Sequence, residues 1–582
     1  MKKSIFFEFT FLFILFIFAI ITSKSYTIAW GLLPLYFGFS KNFKYNQFPA
    51  FKDFYIIFIL FIAVFALNFF AVFSLETNHL EVPHPDFGFY LKVASLFNET
   101  GIENNLTAKT ILFDNLDMAT PYRFFDTWLL ALLLKLLPFS ALVVLQLCYL
   151  PLLWLMVSFS IYRNIDFLNN SFIKVVLSVS FLFLFGDQLF SFLLIKATIG
   201  EICVVSYPKL AIFFCVFIYY FRRQLNDKSK HDSILFLAFL PILIQTAFPL
   251  YIFIYLYILF YYKYFLLNKR IVISIFLSSI YYLAFYGYNF YLSKEIFQLS
   301  QFQFVNSSSE YFYRLASIVY NLTKSKLIIF IIITLIFVLT ANFKRRIIYL
   351  RMIFLSFGIL FSAALVYALF PSSPNSYQLM TNFTFPVFIT VTFFIWMDGL
   401  VLLKNKFYIL NCTIVFCLAI AGGYNQFNEF GFFNVKNKFS IKNREDFVEH
   451  SRQMLSGIKN PIGLTYWSKK NESRNINEHF DQYGTNFLMK LGADFDVVCL
   501  TALHTKEISY SEKVSKYYSA ISLYQRLNNV SDNNLEIKFY NSYNFEYLIS
   551  DLPNEFLPDF IKKDIYESVF DLNSKIYLYS LK

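Results

Sequence analysis

Residues 76–127 hold Glu76, Glu81, Asp86, Glu99, Glu103, Asp114, Asp117 and Asp126 against only Lys92, Lys109 and Arg123. This acid-rich stretch follows an apolar run of about twenty residues, the length that crosses a bilayer's hydrocarbon. Asp86 stands out by position. Pro85 precedes it, and a helical pattern follows through Phe87, Tyr90, Leu91, Val93, Ala94, Leu96 and Phe97, ending at Gly101. The spacing predicts an amphipathic helix on the membrane surface with Asp86 as its amino-terminal cap. Two kinds of chemistry suit that carboxylate. It can accept the orphan N–H bonds of a helix start, or it can take a proton from a polar acceptor while an amphiphilic donor lies alongside.

The elements that position this loop are membrane spans. The chain has 582 residues, is 57% hydrophobic and only 15% charged, and carries 79 Phe and 42 Tyr. Apolar stretches predict a polytopic α-helical membrane protein of about 13 spans near 5–22, 27–40, 54–75, 140–161, 172–186, 208–222, 233–247, 249–265, 271–291, 326–342, 352–370, 383–400 and 406–424. With the amino terminus cytoplasmic, these crossings put 76–139, 187–207, 292–325 and 371–382 outside. They put every basic cluster inside: Lys41, Lys44 and Lys52; Arg222, Arg223, Lys228 and Lys230; Lys263, Lys269 and Arg270; Lys344, Arg345, Arg346 and Arg351; Lys404 and Lys406. In 128–161, Pro138 divides either two short spans or, as we prefer, a half-embedded helix and one span. The net charge of +12 therefore reflects loop anchors, and the absence of a basic face interleaved with stacking groups argues against a nucleic-acid partner.

Residues 1–424 form the transmembrane domain and 425–582 a small α/β domain, which the same parity places outside. The tail predicts a helix around "NREDFVEHSRQMLSGI", strands at "PIGLTYW", "FDVVCL" and "FEYLISDLP", a helix near "EFLPDFIKKDIYESV" and a last strand "KIYLYSLK". The start, "MKKSIFFEFTFLFILFIFAIITSKS", reads as a retained anchor, because its apolar part is long and no small-residue cleavage site closes it. The six cysteines show no metal-ligand or disulfide spacing.

The order Asp86, Tyr90, Ala94 … Gly101 after an early span resembles the first outer-loop motif of GT-C glycosyltransferases. That superfamily includes the dolichyl-phosphate-mannose-protein mannosyltransferase-like and aminoarabinose-transferase-like enzymes. The segment "TPYRFFDTWLLALLLKLLP", Thr120 to Pro138, occupies the place of the family's second block. The chain departs from the family pattern in having Phe87 where a second acid often stands and Thr120 where a His is common.

The resemblance implies transfer of a sugar from a polyprenyl-phosphate or polyprenyl-diphosphate carrier to a glycan, lipid or protein acceptor. The reaction faces outward from an inner or plasma membrane, with membrane lipids and the lipid-linked donor as partners. Asp86 then becomes the catalytic base. Candidate second acids are Asp126, Glu201, Asp187 and Glu310. Lys196, Lys209, Arg314 and Arg123 are candidates to steady the departing phosphate, each with an ordinary reading as a solvated or snorkelling side chain. His84, Tyr90 and Tyr122 are candidate substrate contacts. Some members use a divalent cation, Mg²⁺ or Mn²⁺, which an acid pair such as Asp86 with Asp126 or Glu201 could hold. The competing readings are a lipid-linked oligosaccharide polymerase, a flippase or other transporter, and a non-catalytic membrane scaffold. Few charges fall in mid-span and no internal repeat is evident, which weighs against transport.

Overall fold

The computed structural model describes 51–74, 79–80, 85–101, 124–165, 170–182, 305–324, 341–369, 445–455, 462–466, 499–503, 534–572 and 575–582, apart from a few positions at loop ends. Shorter pieces are described within 14–23, 334–339, 390–397 and 521–531, with isolated positions elsewhere. These residues are mostly helical, with one small sheet at the carboxyl end. The predicted spans 27–40, 208–222, 233–247 and 249–265 lie outside the described residues. Those at 271–291 and 406–424 are represented only by isolated helical positions.

Helix α1, Phe51–Val72, packs one stripe inward and shows another outward. Ile56, Leu60, Val64, Asn68 and Val72, one every fourth residue, are buried, while Phe54, Tyr55, Phe58 and Ile62 are exposed. A short hairpin of β1, Phe73–Ser74, and β2, His79–Leu80, turns the chain back. Helix α2 is Pro85–Thr100, and Gly101, at φ 71°, closes it by donating its N–H to Phe97 O at 3.0 Å.

Helix α3, Phe124–Leu136, and helix α4, Ala141–Asn164, are separated by a break that includes Pro138. At 13 residues α3 is ~20 Å long, too short to span. The stretch 128–161 is thus divided at Pro138 into one short helix and one long one. Among the described residues α4 is the one helix long and apolar enough to cross a membrane, and the apolar stretches Phe54–Phe69 and Ser171–Phe181 are shorter.

The first half of α4 contains a π-helical segment, Val144–Tyr149, whose register follows from Pro151. Leu150 N–H bonds to Leu145 O instead of Gln146 O, and Pro151 has no N–H to offer next. The side chain of Asn68 supplies the missing donor, placing Nδ2 2.5 Å from Gln146 O in a buried contact between α1 and α4. Helix α5, Ser171–Phe181, is capped by Asn170, and Val175 and Val179 join Ile56, Leu60 and Tyr162 in a shared apolar cluster.

Helix α6, Ser308–Lys324, lies against the far end of α7, Phe343–Leu369, through Val305 N–H to Leu369 O (3.1 Å) and Tyr311 OH to Leu365 O (3.5 Å). Helix α7 begins well before the span predicted from 352, so Lys344, Arg345, Arg346 and Arg351 belong to the helix and not to a loop. Arg346 reaches back to accept the role of a cap, donating to the carbonyls of Leu339 (2.8 Å) and Ala341 (3.2 Å). Between helical residues near 334 and 394, Trp396 Nε1 donates to Thr334 Oγ1 at 3.1 Å in a buried site.

In the tail, α8 is Glu445–Leu455, β3 Ile462–Tyr466, β4 Cys499–Leu503 and α9 Leu535–Ser542. Then come β5 Tyr547–Ser550, a one-turn helix α10 Asp559–Lys562, β6 Ile565–Asp571 and β7 Ile576–Leu581. The sheet order is β4-β3-β5-β7-β6, parallel through β4, β3 and β5 and antiparallel at β7 and β6. Leu464, Tyr466, Leu548, Tyr579 and Leu581 share the face that packs on α9, and His450 of α8 meets Glu567 on the opposite face at 2.8 Å. Gly463 sits opposite Tyr547 in the ladder, and a Cβ there would come within 2.0 Å of that ring.

Two expectations for the tail are corrected. The helix predicted near "EFLPDFIKKDIYESV" is only α10 followed by β6, because Pro558 interrupts it and the alternation from Ile565 to Asp571 pairs with β7. The strand predicted at "FDVVCL" is described only from Cys499, and it runs on to Leu503. Helix α9 was not predicted.

Candidate functional site around helix α2

Helix α2 begins at Pro85, so Asp86 is the second residue of the first turn and not the cap. Proline favours the first helical position because its missing N–H is one that would find no intrahelical acceptor anyway. A carboxylate in the first turn still favours the macrodipole. Tyr90 follows one turn later and is buried at 5% exposure. Asp86, Tyr90, Ala94 and Phe97 share one helical register.

The surface-lying amphipathic helix of the sequence reading is also corrected. Tyr90, Leu91, Val93, Ala94, Ser95, Leu96 and Phe97 are all exposed by 5% or less, so α2 is enclosed around its circumference. Its wall includes α3, the helix of the second sequence block. Asn98 Nδ2 donates to Ala131 O at 2.9 Å, and this bond fixes where the two helices meet.

Asp126 lies in the first turn of α3 and is 7% exposed, so this candidate acid is a buried carboxylate at a helix start. It is five residues from Ala131, or ~7.5 Å along its helix, while Asp86 is twelve residues, or ~18 Å, from Asn98 along the other. The Asn98–Ala131 contact thus lies nearer to Asp126 than to Asp86 along the two helices. Among the described residues no three His, Cys, Asp or Glu side chains gather into a metal-binding group.

Glu310 is the third residue of α6, and its N–H bonds to Ser307 Oγ at 3.2 Å. Ser307 is thus the cap that opens α6, and Glu310 places its carboxylate in the first turn. Arg314 follows one turn later, half-buried on the side of α6 that turns toward α7. His84, Tyr122, Arg123, Asp187, Lys196, Glu201 and Lys209 lie outside the described residues.

Two features of this neighbourhood escaped the sequence reading. The Asn68–Gln146 bond could have been suspected from a lone amide in an apolar run together with a proline inside α4. The burial of Leu96 in the core of the carboxyl-terminal domain had no local signal. Neither a scan against protein-family models nor a search of curated proteins returns a match for this chain.

Proposed function

We propose that the chain is a polytopic membrane glycosyltransferase of the GT-C type, with about thirteen spans and an outward-facing α/β domain. It takes a sugar from a polyprenyl-phosphate or polyprenyl-diphosphate carrier and gives it to a glycan, lipid or protein acceptor. The observation that carries this reading is the packing of α2 on α3, through Asn98 and Ala131. It brings together the two sequence blocks on which the resemblance rests. The outward-facing Phe54, Tyr55, Phe58 and Ile62 of α1 support a lipid surround, since soluble monomers rarely expose such a stripe.

The chemistry is a substitution at the sugar's anomeric carbon. Asp86 accepts the proton of the acceptor hydroxyl as its oxygen bonds to that carbon. The bond from carbon to the carrier's phosphate oxygen breaks, and the electron pair leaves with the phosphate. Cations at the outer boundary stabilise that developing charge, with Arg123, Lys196, Lys209 and Arg314 as the candidates. Among the described residues, Asp126 is the candidate second acid whose helix packs directly against α2.

The test is Asp86→Asn, with lipid-linked glycan product and membrane abundance measured side by side. Loss of a general base costs about 10²–10⁴-fold in rate, so product should fall by that factor at unchanged abundance. Normal product at normal abundance refutes the assignment. A transporter reading is separated by reconstitution into liposomes, where the proposed enzyme changes the labelled lipid-linked sugar chemically and does not merely move it across.

A further inference from the structure

Three successive residues near the end of α2 touch three different parts of the chain. Leu96, 2% exposed, belongs to the apolar core of the α/β domain, together with Leu464, Tyr466, Phe539 and Leu548. Phe97 meets Phe18 of the amino-terminal segment edge-on, with ring centroids 6.3 Å apart. Asn98 donates to Ala131 of α3. Successive residues of a helix are rotated by about 100°, so these contacts grip α2 on three sides at one level. The grip lies some ten residues from Asp86 along a helix that is enclosed for most of that distance.

We infer that the α/β domain is a positioning element for α2: Leu96 seats the helix in the domain's own core, and the domain thereby holds the first turn that carries Asp86. This inference rests on the proposed transferase reading only for the meaning of Asp86. The docking itself is independent of it. Because Leu96 contributes to the domain's core and not to a separate interface, helix and domain share one cooperative unit. Coupling of this kind is reciprocal, so damage on either side is felt on the other.

The test is amide hydrogen exchange by mass spectrometry on the full chain in bilayer nanodiscs. Leu96→Ala should speed exchange across residues 87–97 and in β3 and β5 by at least about tenfold, as truncating a buried leucine does. Leu96→Met, which conserves volume, should stay close to wild type. Gly463→Ala strikes the sheet at Tyr547, on the face away from Leu96, and should also deprotect α2. In the wild-type chain, α2, β3 and β5 should lose protection together as urea is raised. Separate transitions, or a Gly463→Ala chain with deprotected strands and an unchanged α2, overturn the inference. Coupled exchange beside an Asp86→Asn chain that still forms product supports the docking and removes only the assignment of Asp86 as the base, whereas coupled exchange in a wild-type chain that forms no product from the lipid-linked sugar supports the docking and removes the transferase reading.

Discussion

Replacing Asn68 by leucine removes one hydrogen bond whose loss the backbone cannot repair. The π register gives Leu150 N–H to Leu145 O, Pro151 has no N–H, and Asn68 Nδ2 at 2.5 Å serves the carbonyl of Gln146. Asn68 and Gln146 are 1% and 0% exposed, so water does not take over. A buried acceptor deprived of its donor costs about 1–3 kcal/mol, while interhelical bonds in membrane proteins average about 0.6 and reach about 1.7 kcal/mol. We expect Asn68→Leu to destabilise by about 1–2 kcal/mol, roughly 5- to 30-fold in the folding equilibrium.

The decisive variant is Pro151→Ala. It restores an N–H at position 151 that a π-type bond to Gln146 O can use, so Asn68→Leu should cost about 1 kcal/mol less in that background. Unfolding in mixed micelles of rising sodium dodecyl sulfate, followed by tryptophan fluorescence, measures all four corners of the cycle. Additivity within about 0.5 kcal/mol, or a neutral Asn68→Leu, refutes the link between the proline, the π register and the amide.

Ser307→Ala should cost about 0.5–2 kcal/mol at the start of α6 and appear as faster amide exchange at Glu310 and Tyr311, whose N–H groups face Ser307; unchanged exchange there refutes the cap. Burial, with a smaller push from Glu536, raises the Tyr466 hydroxyl to about 12. Folded Tyr466 therefore keeps its proton while an unfolded tyrosine begins to lose it near pH 10, at its ordinary value. Its contribution to stability is complete below about pH 10 and fades toward about pH 12. Thermal unfolding of the α/β domain should show that decline, and Tyr466→Phe should lessen it.

The strands of the tail were readable because each places apolar residues with period two between turn residues, as in "PIGLTYW" and "KIYLYSLK". The segment 555–569 misled because Phe556, Phe560 and Ile561 have helical spacing, whereas β7 recruits Ile565–Asp571 through a partner found only in the fold. Similarly, Lys92, Asn98 and Glu99 made α2 look two-faced. Nothing local in the sequence reports that the α/β domain, the amino-terminal segment and α3 all close around it. The two halves of the candidate site were legible as motifs. Their contact was not, because it depends on Asn98 reaching a backbone carbonyl 33 residues away.

Arg346 fastens the turn between two helices by holding the carbonyls of Leu339 and Ala341. Its positive charge is also one of those predicted to choose which way the chain threads. One guanidinium thus votes on orientation and splices the hairpin that results. Charge-swapping experiments that aim to invert the insertion will confound the two roles at this residue.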